Sequence, residues 1–127
     1  MTAIPEGLLY NAEHDWVRVE GDIGVMGITD YAQGELGDIV FLELPEVGDR
    51  VVQGEAYGTV EAVKTVADLY PPMSGEVIEI NAVLTEDAAQ VNADPYGAGW
   101  MLKVRLQNRS EADGLLGPEA YGKLIQE

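Results

Sequence analysis

The 127-residue chain offers three side-chain primary amines, Lys64, Lys103 and Lys123, and their settings differ. Lys103 falls in an alternating segment and Lys123 in the C-terminal segment, where each reads as an ordinary solvated charge. Lys64 is the only basic residue between Arg50 and Lys103, in a stretch otherwise acidic or apolar. A modifying enzyme must find one ε-amine reproducibly, and the tip of a rigid hairpin supplies that by holding the backbone while the side chain projects. Acylation turns a strongly hydrated ammonium into an amide, which a tip tolerates and a core does not. An isolated turn lysine is, by itself, usually no more than a solvated charge. There is no cysteine, which excludes disulfides, thiolate metal sites and a cysteine nucleophile. His14 is the single histidine, so multi-histidine metal sites and two-histidine mechanisms are excluded as well. Redox chemistry would have to come from a group added to the chain. A carboxylate pair such as Asp15 and Asp68 can in principle do acid–base work. Neither their spacing nor any phosphate loop or nucleophile motif supports an independent enzyme.

The elements around Lys64 read as short strands cut by Gly, Pro and Asp. Gly48-Asp49 opens a strand, Gly54-Glu55 marks a turn, and Gly58–Ala62 climbs toward Lys64. Thr65–Leu69 leads away, Pro71-Pro72 breaks the run, Ser74-Gly75 turns, and Glu76–Ile80 is again extended. Gly54 lies ten residues before Lys64 and Gly75 eleven after it, a near-mirror arrangement suited to a quasi-two-fold fold with a hairpin at its tip. Elsewhere, His14–Glu20 alternates, with Asp15, Val17 and Val19 on one side and Trp16, Arg18 and Glu20 on the other. In Ile39–Leu44, Val40, Leu42 and Leu44 share a face, and Pro45 ends the run. In Trp100–Leu106, Trp100, Leu102, Val104 and Leu106 alternate with Lys103 and Arg105. Helix signals place Thr29 as cap of Asp30–Leu36 with Gly37 as its stop, Thr85 as cap of Glu86–Val91, and Ser110 as cap of Glu111–Leu116, with a further turn or two after Pro118. Many short strands with brief marginal helices predict a β-rich sandwich or barrel. The length favours one domain, able to bury roughly two thirds of its unfolded surface without covalent staples.

The formal net charge is −16, from 7 Lys and Arg against 23 Asp and Glu. Such a surface repels phosphate backbones and anionic lipid headgroups, so neither nucleic acid nor membrane is expected as a partner. It suits partners with basic patches, and it also serves solubility. No apolar run reaches the length of a membrane span. The opening MTAIPEGLLYNAEHDW has no basic n-region and no Arg-rich transit character, so a cytoplasmic location is expected.

The stretch Gly58-Thr-Val-Glu-Ala-Val-Lys64-Thr-Val-Ala-Asp68, followed by Pro71-Pro-Met-Ser-Gly75-Glu-Val77, resembles the lipoyl-domain signature. Nearly the whole chain is similar, more narrowly, to the H-protein family of glycine cleavage systems. The similar blocks include Tyr10…His14-Asp15-Trp16, Gly27-Ile28-Thr29-Asp30-Tyr31-Ala32-Gln33, Leu36-Gly37-Asp38-Ile39-Val40-Phe41, Leu44-Pro45-Glu46-Val47-Gly48, Val91-Asn92…Pro95-Tyr96-Gly97 and Gly99-Trp100. Departures are Ala62 where Ser is frequent, Thr65 where Ala is frequent, and Tyr31 where the family often has His.

The resemblance implies a lipoyl/biotinyl-like hybrid of two antiparallel sheets, or flattened barrel, with a few short helices. It implies a single lipoyl-carrier domain over residues 1–127, with a lipoyl-like core over about 22–104 and a C-terminal helical segment over about 110–127. It implies lipoic acid in amide linkage on Lys64, and a cleft lined by Asp15, Asp68 and Glu13 where the loaded arm rests. The activity implied is that of a non-catalytic carrier. It takes the aminomethyl group of glycine from a pyridoxal-phosphate glycine decarboxylase to a tetrahydrofolate-dependent aminomethyltransferase, and dihydrolipoamide dehydrogenase then reoxidises the arm. A lipoate attachment enzyme completes the set of partners, and a monomer is expected. Three alternatives stand beside this. A biotin carrier would place Met on both sides of the lysine, where Val63 and Thr65 stand. A 2-oxoacid dehydrogenase lipoyl domain would be shorter and carry an Ala/Pro linker. A lipoyl relay in protein lipoylation is not separable from glycine breakdown by sequence.

Overall fold

The computed structural model describes residues 3–126. Over these residues its framework is a set of nine short strands joined partly by crossovers between two sheets. The strands are β1 (Leu9–Tyr10), β2 (Asp15–Glu20), β3 (Ile23–Ile28), β4 (Ile39–Glu43), β5 (Arg50–Val51), β6 (Gly58–Ala62), β7 (Val66–Leu69), β8 (Gly75–Ile80) and β9 (Leu102–Leu106). They form two antiparallel sheets, one ordered β1-β2-β3-β9-β8-β5 and the other β4-β6-β7, with no closed barrel among the described residues. Four short helices accompany them: α1 (Asp30–Leu36), α2 (Val83–Glu86), α3 (Gln90–Ala93) and α4 (Pro118–Ile125).

The main core fills the space between the sheets. Val17, Met26, Leu102 and Val104 from the larger sheet meet Leu42, Val60 and Leu69 from the smaller one, and Met73 and Met101 are fully buried among them. β9 buries Leu102, Val104 and Leu106 while turning Lys103 and Arg105 outward, as its alternation predicts. Trp100 lies just outside that strand and packs at the edge of a second cluster. This second cluster sits on the other side of the larger sheet, where α4 covers Tyr10, Trp16 and Val25 with Tyr121. Tyr10 and Tyr121 stack at 4.6 Å, and Trp16 Nε1 donates to the Pro95 carbonyl at 3.1 Å. Trp16 does lie opposite Asp15 and Val17, but α4 and its neighbours bury it completely, unlike Arg18 and Glu20. Gly27 is its register partner, and a Cβ there would come 2.9 Å from the indole, so only glycine lets the ring lie against β3.

Several local expectations need correction. β4 carries a register shift between Ile39 and Phe41, so strict alternation fails and Val40 is 54% exposed rather than facing inward with Leu42. Thr85 lies inside α2 and its hydroxyl donates to the Ala82 carbonyl at 2.8 Å. It caps nothing, and two separate turns replace one helix over 86–91. Residues Arg109–Gly114 form a 3-10 turn capped by Asn108, whose Oδ1 accepts the Ser110 N–H at 3.1 Å, so Ser110 is not the cap. α1 agrees in full: Thr29 Oγ1 accepts the Ala32 N–H at 3.1 Å and Gly37 ends the helix at φ 83.

Candidate functional site

β6 and β7 pair antiparallel, from Gly58 opposite Leu69 to Glu61 opposite Val66, and the turn between them carries Val63, Lys64 and Thr65, all exposed. Two hydrogen bonds stiffen this tip. The Ala62 N–H donates to Thr65 O at 2.8 Å, and the Val63 N–H donates to Asp38 O at 3.0 Å, tying the hairpin to the segment after α1. Lys64 reaches back along that segment, its Cε 3.7 Å from where a Cβ on Gly37 would sit. Leu36, Gly37, Asp38, Val63 and Lys64 together line a shallow depression.

Leu36 also belongs to the wall of a second, deeper-set groove of about 310 Å³. Three pieces of chain build it. Glu13, His14 and Asp15 enter from the start of β2, and Ile28, the register partner of Asp15, follows at the end of β3. α1 supplies Tyr31, Ala32, Glu35 and Leu36, two i,i+4 pairs that share one helix face. The hairpin supplies Val60, Ala67, Asp68 and Leu69. The groove thus has an apolar floor, with carboxylates at its rim and in its wall.

Asp15 is the unusual member. It is 2% exposed, and its Oδ2 has no hydrogen-bond partner among the described residues. Burial raises its pKa well above the usual carboxylate range, and the nearby Glu13 charge adds to this. Hydrogen bonds from the Asn11 side chain and the Tyr70 backbone pull the other way. A buried acceptor left free is costly and calls for a donor, ideally a cationic one. Asp68 lies at the exposed edge of β7, where Tyr70 Oη makes a long 3.5 Å contact to its Oδ2. Glu13 is exposed on the turn into β2. The structure therefore brings Asp15, Asp68 and Glu13 to one groove, and sets Lys64 in a depression that shares Leu36 with its wall. The sequence reading assigned no groove role to His14, Glu35, Leu36 or Tyr31, although His14 lies inside the same Glu13–Asp15 tripeptide. Tyr10 and Trp16 sit in the second core cluster and do not line this groove.

Among the described residues no cluster of three or more His, Cys, Asp or Glu side chains is placed to hold a metal ion, and no helix is long and apolar enough to cross a membrane. One projecting amine on a stiff hairpin, beside a half-enclosed groove with acidic walls, defines a carrier of a covalently attached arm. The residues present fit such an arm: Ile28, Leu36, Val60 and Leu69 suit a hydrocarbon chain, and the free Asp15 oxygen suits a cationic amine.

Comparison with known proteins agrees with that class. The family model described as glycine cleavage H-protein matches residues 8–127. A glycine cleavage system H protein of Carboxydothermus hydrogenoformans is 53% identical over 127 residues, covering 100% of this chain and 98% of its own. That of Rubrobacter xylanophilus is 55% identical with the same coverage. The crystal structure of a glycine cleavage system H protein from Mycobacterium marinum matches with a TM-score of 0.86 and 41% identity, over 94% of this chain and 98% of that one. The chain belongs to the glycine cleavage H-protein family. It is a lipoyl carrier in glycine cleavage rather than a catalyst, with lipoate held covalently on a lysine, and its two-sheet fold is that of the family.

Proposed function

We propose that Lys64 is the lysine that carries the lipoyl group, and that Asp15, Asp68 and Glu13 hold the aminomethyl cargo when the arm folds back. When bound, the group supplies a dithiolane that opens to accept and release the cargo and is then reoxidised. The chain's own residues position and protect. The Ala62–Thr65 and Val63–Asp38 hydrogen bonds fix where the amine projects. The Ile28, Leu36, Val60 and Leu69 floor excludes water from the arm, and the free Asp15 oxygen receives a cationic amine through a charge-assisted contact worth about 1.5–3 kcal/mol. That strength holds cargo without trapping it. Asp68 and Glu13, both exposed, act at the mouth of the groove.

Working partners in this reading are the pyridoxal-phosphate glycine decarboxylase, the tetrahydrofolate-dependent aminomethyltransferase, dihydrolipoamide dehydrogenase and a lipoate attachment enzyme. The chain works as a monomer in the cytoplasm and as a single carrier domain over residues 1–127, with its lipoyl-like core over about 22–104 and a helical segment over about 110–127. The observation that carries the proposal is the exposed hairpin lysine in a depression that shares Leu36 with a groove holding a buried carboxylate with a free oxygen. Intact-mass analysis with peptide mapping after incubation with a lipoyl ligase tests it. One lipoyl group on the peptide containing Lys64 is expected, with none on folded Lys64→Arg. A label on Lys103 or Lys123 instead would overturn the assignment.

A further inference from the structure

At His14 the backbone turns left-handed, with φ 73, a conformation unfavourable for a residue with a Cβ. Asn11 holds it there: its Oδ1 accepts the N–H of Glu13 at 3.1 Å and of Asp15 at 2.8 Å, and its own N–H donates to Asp15 O at 3.0 Å. Backbone held against its preference by its surroundings marks a side chain whose placement matters. Here the side chain placed is the imidazole, in the groove wall, with its ring 4.9 Å from that of Tyr31.

The protons around the imidazole can be accounted for one by one. His14 Nδ1 lies 2.8 Å from Tyr121 Oη, Tyr121 Oη lies 2.7 Å from Thr29 Oγ1, and Thr29 Oγ1 accepts the Ala32 N–H at the start of α1. Tyr121 and Thr29 are fully buried, so both hydroxyl protons need acceptors inside the protein. Burial also pushes the Tyr121 phenol well up, which keeps its proton in place. Within these bonds the Thr29 proton has one acceptor, Tyr121 Oη, while the Tyr121 proton has two, Thr29 Oγ1 and His14 Nδ1. Only one direction satisfies both protons: Thr29 donates to Tyr121, and Tyr121 donates to Nδ1. The reverse direction, from Nδ1–H through Tyr121 to Thr29, leaves the Thr29 proton with no acceptor among the described residues.

We propose that this one-way chain, from Ala32 N–H through Thr29 and Tyr121 to His14 Nδ1, keeps the imidazole neutral with its proton on Nε2, so that His14 meets the folded-back arm as an N–H donor and Tyr121 acts as its positioning residue. The groove then has divided roles. Carboxylates receive the cationic amine, and the imidazole N–H suits the arm's free sulfur. A charged imidazolium would instead oppose cationic cargo. The charged and titratable groups facing His14 are Glu13 and Asp15 beside it, Tyr31 and Glu35 from α1, Asp68 from β7 and Tyr121 from α4. Glu13 and Glu35 favour protonation, but burial prevails and holds the imidazole below its ordinary value. The role toward the arm rests on Lys64 carrying it; the tautomer does not.

His14 is the only histidine, so a long-range nitrogen–proton correlation spectrum of the unmodified chain contains a single imidazole. At about pH 7.5, where an unperturbed histidine is mostly neutral, Nε2 is expected to be protonated and Nδ1 bare. Tyr121→Phe should give mixed tautomers and a raised imidazole pKa, and Thr29→Ser, which keeps the hydroxyl, should retain the wild-type spectrum. An Nδ1-protonated wild-type chain, or an unchanged spectrum in folded Tyr121→Phe, overturns the proposal. With lipoylated and loaded protein, Tyr121→Phe should lose cargo roughly threefold faster, the scale of one weakened neutral hydrogen bond. Equal rates would remove His14 from arm binding while leaving Lys64 as the carrier. A chain that takes no lipoyl group at Lys64 would sink the carrier reading and the arm-binding half of this one, while the spectrum still decides the tautomer.

Discussion

A carboxylate buried like Asp15, with one oxygen unpartnered, works against folding and in favour of holding a cation. The two effects separate in Asp15→Asn. Because the folded-state value lies above the unfolded one, the linked stability is full below the ordinary carboxylate range and is lost as pH rises through the folded value. The variant should therefore match the wild type in acid and exceed it at neutral pH by on the order of 1 kcal/mol, read as a shifted denaturant midpoint. The same change should speed loss of the aminomethyl cargo by about tenfold, the equivalent of one charge-assisted contact. Asp68→Asn, at an exposed strand edge, should speed cargo loss with no gain in stability. Equal decay rates for Asp15→Asn and wild type would place the buried carboxylate outside the cargo site.

The link between α1 and the lysine hairpin turns on Gly37. It ends the helix at φ 83 and ψ −157, a region that is essentially glycine-only, and leads directly into the Asp38 carbonyl that holds the Val63 N–H. Gly37→Ala should cost about 1–3 kcal/mol and slow lipoyl attachment at Lys64, measured by thermal melts beside a ligase time course. A destabilised variant modified at the wild-type rate would show that the tie to Asp38 does not present the amine. Local signals made this element legible in advance: Thr29 caps, Gly37 stops, and apolar residues recur between them. The hairpin around Lys64 was legible for the same reason. β3 was not, because Gly24 and Gly27 interrupt its pattern, and the reason for Gly27 lies in Trp16 on the neighbouring strand. The β4 register shift that exposes Val40 has no periodic signature either. Asp15, Asp68 and Glu13 could be nominated only through the motif they share with a family. His14, Glu35 and Leu36 join them through contacts between distant segments, which spacing along the chain does not encode.

At the scale of the whole molecule, the net charge of −16 acts on encounter more than on fold. The described ion pairs are few and solvent-exposed, Arg18–Glu20, Lys103–Glu79 and Arg105–Glu76, so they add little to stability. Around Lys64 the outer face of the small sheet alternates apolar and acidic groups. Phe41, Glu61 and Val66 are neighbours across its three strands, with Glu43, Thr59 and Asp68 in the next row. A catalyst that must bring its active site to this tip gains by presenting a basic rim, because complementary fields raise association rates. Salt shortens the reach of that field to about 10 Å at 0.1 M and about 3 Å at 1 M. Glycine decarboxylation with the lipoylated chain as the varied substrate should accordingly show an apparent KM for the carrier that climbs with ionic strength while kcat holds nearly constant. Double substitution Glu43→Gln with Glu61→Gln should raise KM at low salt and flatten its salt dependence, since the charges being screened are then fewer. A salt response identical in the wild type and the double variant would move the docking surface away from the lysine-bearing sheet and onto another part of this acidic molecule.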